Sequence, residues 1–167
     1  MRIWILVLAA VGLAGCVSLT PERQAQWSGP VEDAAMGMPA DLQARAAGGQ
    51  AKAQLSWSLV VRYGLHGVTA DVAEAQKWRT RAVASRGSQT TAVWVPGFKK
   101  TPGHTQIMQI PVYDVTETQA QVAEACAALL DAPGTDAALS AALAKGTCGG
   151  RDNYVRLGRE WAVAKLR

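Results

Sequence analysis

Residues Ala51–Tyr63 carry apolar side chains on two faces of one helical pattern. Leu55, Leu59 and Tyr63 fall on one stripe, and Ala53, Trp57 and Val60 on another. A helix apolar along one stripe lies on a surface, whereas one apolar on two faces is sandwiched between neighbours. The chain must therefore supply further helices on both sides of this segment. Gly64 ends it, and a linker over 65–70 leads to Asp71, a good N-cap with Glu74 three residues on. Ala75, Trp78 and Ala82 then recur at helical spacing. Lys77, Arg79, Arg81 and Arg86 gather toward the C-terminal end, where the macrodipole favours cations, and Gly87 is the expected stop. Two helices closed by small residues make a hairpin, a unit that buries its faces by stacking.

The rest of the chain extends the helical reading. A length of 167 residues fits one domain, and much of its 49% hydrophobic content is alanine, so the elements must pack closely. Residues 41–47 form a short Ala-rich helix stopped by Gly48-Gly49. Thr116 and Gln119 have capping-box spacing, with Val122, Ala125, Cys126, Leu129 and Leu130 as the expected buried face of the following helix. Pro133-Gly134 turns the chain, and Thr135 caps a short helix with Leu139 and Leu143, stopped by Gly146. Asp152 is the expected cap of the last helix, on which Tyr154, Gly158 and Trp161 share a face; Gly158 implies that another helix approaches closely there.

The N-terminus carries an address. Met1-Arg2 is a basic start, and 3–13 is an apolar run of eleven residues. At ~1.5 Å per residue such a helix rises about 16 Å, short of a ~30 Å hydrocarbon core, so the run reads as a secretory signal over 1–15 rather than a span. Leu13-Ala14-Gly15-Cys16 closes it. This resembles the lipobox of bacterial lipoproteins, whose cysteine is acylated and becomes the new N-terminus. The resemblance implies lipidation at Cys16, an N-terminal lipid anchor stable at ~0.8 kcal/mol per buried methylene, and a periplasm-facing place in the outer membrane, since Val17 rather than Asp follows the cysteine. Pro21, Gly29, Pro30, Gly37 and Pro39 make 16–39 a flexible tether with a reach of about 25 Å, and 40–167 the helical domain.

Within that domain Ala46-Ala47, Ala51-Lys52-Ala53-Gln54, Gly64, Gly67-Val68, Asp71, Ala73-Glu74-Ala75, Lys77-Trp78, Ala82 and Gly87 resemble one Sel-one-like repeat, over about 42–87. The resemblance implies an all-α fold, a short tetratricopeptide-like α/α solenoid of helix hairpins, and a role in protein–protein contacts.

The segment 95–115 breaks the helical grammar. Residues 90–95 and 107–113 are rich in β-branched and aromatic types and suit a small β-ribbon interrupting the helices, with Pro111 confining its strand to an edge. Long irregular stretches inside small domains are often functional. This one sets Lys99, Lys100 and His104 beside Trp94, Phe98 and Tyr113, the residue types of a partner-binding or glycan-contacting patch. The alternative is a connection whose aromatics cover the end of the helix stack. The candidate partner-binding residues are Leu65 and His66 in the linker and Trp94, Phe98, Lys99 and Lys100 in the loop. His104 lacks a carboxylate or second histidine at motif distance.

Cys126 and Cys148 are the thiols left once Cys16 is acylated. In an oxidising periplasm the default for such a pair is a structural disulfide stapling the C-terminal helices. The rivals are a redox pair, which usually has Cys-x-x-Cys spacing, and a zinc site, which needs ligands that only His66 and His104 offer. No phosphate loop, zinc-protease or serine-hydrolase motif appears, so no catalytic residue, metal or cofactor is expected. A net charge of +4 without a Lys/Arg block argues against nucleic acid. The leading expectation is a lipid-anchored adaptor or assembly subunit for an envelope protein. The alternative is a protein that binds or processes envelope glycan, with peptidoglycan as partner.

Overall fold

The computed structural model describes residues 21–99, 102–132, 134, 136–137, 139–140 and 146–167, with side chains from residue 28 onward. The fold is mostly helical. In chain order come α1 (Pro21–Met36), α2 (Pro39–Ala47), α3 (Ala51–Tyr63), a single 3-10 turn at Leu65–Gly67, and α4 (Val72–Ala82). Strands β1 (Gly87–Val95) and β2 (His104–Val112) form one antiparallel ribbon, followed by α5 (Glu117–Asp131) and a last helix, α6 (Arg151–Leu166).

The two-faced pattern of α3 is satisfied as expected: ten of its thirteen residues are buried, and α1, α2, α4 and α5 pack around it. Burial of its polar residues is tolerated because each finds a partner. Gln54 Nε2 donates to the Ala46 carbonyl at 3.1 Å, Ser56 Oγ to Lys52 O at 2.9 Å, and Ser58 Oγ to Leu55 O at 2.6 Å. Gly64 ends the helix in the left-handed region (φ 64°), where a Cβ is disfavoured. Asp71 caps α4 by accepting from the Glu74 amide at 2.9 Å. Thr116 and Gln119 complete a reciprocal capping box at the start of α5.

Five expectations are corrected. Residues 21–36, expected within a tether, are helical despite Pro30. The reason is the stripe Val31, Ala34 and Ala35, fully or nearly buried against the helical body, whose burial outweighs one lost backbone hydrogen bond. Helix α4 stops at Ala82, and Gly87 begins β1 instead of ending the helix, because the Arg86 amide already bonds the Val112 carbonyl at 2.8 Å. Of the expected buried face of α5, Cys126 and Leu130 are buried, Val122 and Leu129 are half-buried and Ala125 is exposed; Ala120, Ala123 and Ala127 complete the face. Choosing the larger side chains rotated the expected face, whereas close packing prefers the alanines. The N-cap of α6 is Gly150 rather than Asp152, which lies in the first turn. A Cβ on Gly158 would meet only Leu130 Cδ2, at 3.8 Å, so no helix approaches closely enough to require glycine there. Cys16 and the expected cap Thr135 lie outside the described residues.

Cys126 and Cys148 form a disulfide (Cα–Cα 5.4 Å) that joins α5 to the turn before α6. Both are buried in the same core as Leu157 and Trp161, and the Trp161 ring meets Tyr63 edge-on at 5.3 Å. The bond closes a loop with a sequence separation of 22. Opening it by the double change to serine is expected to cost about 3 kcal/mol in the chain-entropy model, a fall in Tm of roughly 6–12 °C for a domain of this size. Scanning calorimetry with and without reductant checks this; an unchanged Tm refutes the stapling role.

Candidate functional site

The core passes directly from Ala82 to Val115: no described residue between them is buried. The ribbon is thus an arm inserted between α4 and α5. Its register runs unbroken from Gly87↔Val112 to Val95↔His104, longer than the expected strands, which reduces the expected irregular loop 95–115 to a tip at 96–103 and a short return to α5.

Ion pairs hold the base of the arm. Arg86 Nε lies 3.0 Å from Asp114 Oδ2, tying the residue before β1 to the return segment, and its Nη2 also donates to the Gly49 carbonyl. Below them Arg79 on α4 reaches across to α5: both of its Nη atoms donate to the Glu117 carboxylate and its Nε donates to Glu124 at 3.1 Å. Arg62 on α3 approaches the same Glu124 at 3.7 Å. The hydrogen bonds from Arg79 hold the Glu117 carboxyl below its ordinary range, and Glu117 in turn raises the guanidinium of Arg79.

Alternation divides the arm into two faces. On one, Val93, Met108, Ile110 and Val112 are exposed at 40–46%. At its base a cavity of ≈ 420 Å³ is lined by Gln89, Thr91, Ile110, Pro111, Val112, Tyr113 and Thr116. The other face bears a polar ladder in which Gln109 accepts from Ser88 and donates to Thr90, and beyond it lie Ala92, Ile107 and Trp94. Trp94 lies over Gly103 so closely that a Cβ there would stand 2.4 Å from Cζ2, so the glycine makes room for the indole. At the tip Phe98 is 76% exposed, and Lys99, itself in the left-handed region, sets Nζ 5.4 Å from the Phe98 ring centroid.

The expected partner-binding residues therefore separate. Trp94, Phe98 and Lys99 share the outer end of the arm; Lys100 lies outside the described residues. Leu65 and His66 are elsewhere and belong to the body. Leu65 is fully buried, so it has no surface to offer a partner, which corrects its assignment. His66, in a left-handed conformation (φ 56°), has Nε2 2.9 Å from the Ala34 carbonyl. Because a carbonyl only accepts, Nε2 carries the hydrogen and pins the turn after α3 to α1. The sequence reading missed the exposed Ile107, Met108 and Ile110 as surface features, and the cavity that Ile110 helps to line.

A second concavity, ≈ 600 Å³, lies between α5 and α6 over Leu130, Tyr154, Gly158 and Trp161, with Asp131 and Lys165 paired at 2.6 Å on its rim. Among the described residues no group of histidine, cysteine and carboxylate side chains is placed to hold a metal ion, and no helix is long and apolar enough to cross a membrane. Compared with known proteins, the chain matches no family model, no curated protein and no solved structure.

Two predictions separate body from arm. Leu65→Ala is expected to cost about 2–5 kcal/mol of stability, as buried leucines do, while Phe98→Ala stays within about 0.5 kcal/mol; chemical denaturation measures both. The second concerns pH. A carboxyl held below its ordinary range stabilises the fold above its unfolded-state pKa, and that contribution is lost as pH falls through the depressed value. Stability should accordingly decline in the acid range below the usual glutamate pKa of about 4.3, and Glu117→Gln should flatten that decline. Melting curves at successive pH values test the sign; an identical pH profile in the variant removes Glu117 from the clamp.

Proposed function

We propose that this chain is a lipid-anchored envelope protein that binds a protein partner through its arm, as an adaptor or assembly subunit on the periplasmic side of the outer membrane. The observation that carries the reading is the arm itself. Its base is clamped to the body, its outer end bears Trp94, Phe98 and Lys99, and none of its described residues is buried in the chain's own core. Exposed aromatic and aliphatic side chains rimmed by cations are the composition of binding surfaces, and an aromatic anchor such as Trp94 contributes more than its neighbours when a partner buries it.

The anchor rests on the lipobox-like Leu13-Ala14-Gly15-Cys16, with Cys16 acylated and 1–15 removed. The α3–α4 hairpin, with its Gly64 stop and Asp71 cap, supports the Sel-one-like reading of the body as a short α/α solenoid. In this reading the body does not bind through a concave solenoid surface. It acts as a stand for the arm, and the site carries out recognition rather than catalysis.

Photoreactive residues placed in living cells at 94, 98 and 107, with the exposed body positions 155 and 163 as controls, test the proposal. Discrete high-mass adducts from the three arm positions and none from the controls are expected, and Phe98→Ser combined with Lys99→Ser should reduce recovery of that partner at least about tenfold, the factor that 1.4 kcal/mol represents. Adducts to lipid alone, or equal yields from arm and controls, would sink the adaptor reading. Co-sedimentation with purified peptidoglycan abolished by the same double change would replace it with glycan binding.

A further inference from the structure

β1 lacks the protections that edge strands usually carry. Its nine residues, GSQTTAVWV, include no proline and no ionisable side chain. An open row of amides and carbonyls pairs readily with another strand, so edges are normally blunted by charge, proline, a bulge or a covering element. β2 has one such device, because Pro111 removes an amide from its ladder. β1 has none: its register with β2 contains no bulge, and no described strand lies beyond it. A two-stranded ribbon standing in water is marginal by itself, and both faces of this one are largely exposed.

The chemistry of the edge specifies what it accepts. An uncharged strand with two threonines and two valines among its nine residues offers no opposite charge to a charged strand, and favours a neutral, β-branched partner. Among the described residues, the one such strand with a free edge is β1 itself. We propose that β1 pairs antiparallel with β1 of a second copy, giving a four-stranded sheet in the order β2–β1–β1–β2 across a two-fold axis near Thr91, the middle residue of the strand. Identical edges in antiparallel order meet isologously, so the assembly closes at two. No like charges oppose each other, since residues 87–113 contain no carboxylate and their cations, with His104, cluster at the tip end. In the pair the two tips fall at opposite ends of a sheet about 30 Å long, well beyond a screening length of about 8 Å. A nine-residue edge falls short of the about 800 Å² per partner typical of stable complexes, so the dimer is reversible. It uses the β1 edge and leaves Phe98 and Lys99 free; it does not rest on the adaptor reading.

Sedimentation equilibrium tests it on residues 17–167, which contain every described element and the whole core. Over about 1–500 µM, a range spanning weak interfaces, the protein should pass from monomer to dimer and no further. Thr91→Lys and Thr91→Glu each place like charges across the axis and should weaken association at least about tenfold. An equimolar mixture of the two variants should restore it, which a misfolded variant cannot do. Hydrogen exchange should show dimer-dependent protection in β1 and not in β2, and Phe98→Ser, at the tip beyond the strand, should leave association unchanged. A wild-type monomer throughout the range overturns the proposal. So does a dimer that survives both Thr91 variants, or one whose protection appears in β2 or the helices.

Discussion

The fold depends on a helix with almost no solvent face. Lys52 and Arg62 apart, the side chains of α3 meet other protein over most of their surface. Burying a helix this completely requires neighbours on every side, and α1, α2, α4 and α5 supply them. It also requires that polar groups inside be paired, since an unpaired buried hydroxyl or amide costs more than its hydrogen bond returns. Gln54, Ser56 and Ser58 meet this by bonding to carbonyls of α2 and of α3 itself. The small side chains Ala46, Ala75, Ala120 and Ala123 are the counterpart of that arrangement: they are buried alongside α3 and let the surrounding helices come close.

Local grammar was legible because it is carried by contiguous residues. The bounds of α3, the Asp71 cap, the Thr116–Gln119 box and the strand character near Pro111 all follow from a few neighbouring side chains. The Cys126–Cys148 bond was legible for a related reason, since few thiols leave few pairings. The residues of α1 were not. Gly29 and Pro30 are breakers locally, and what keeps 21–36 helical is tertiary burial of Val31, Ala34 and Ala35. The same override rotated the face of α5, where fit to a crowded neighbour mattered more than side-chain size.

The candidate site divides along the same line. Trp94, Phe98 and Lys99 were visible as aromatics and cations in a stretch that no helix claims, and the ribbon places them together. Leu65 and His66 sit in a linker whose composition resembles an exposed loop. Their roles depend on contacts distant in sequence: Leu65 fills the core, and His66 reaches a carbonyl thirty-two residues earlier. No pattern within the linker announces such a bond. The ion-pair clamp is similar, because Arg79 and Glu117 are 38 residues apart and look like ordinary ends of two unrelated helices.

Among the described residues, the gap in the core between Ala82 and Val115 divides the chain into parts with different packing demands. Substitutions in the helices are judged by how well the interior still packs. Substitutions in the arm escape that judgement, because no described side chain there fills the interior. The described part of the arm therefore tolerates changes of side-chain size and shape that the interior of the body does not.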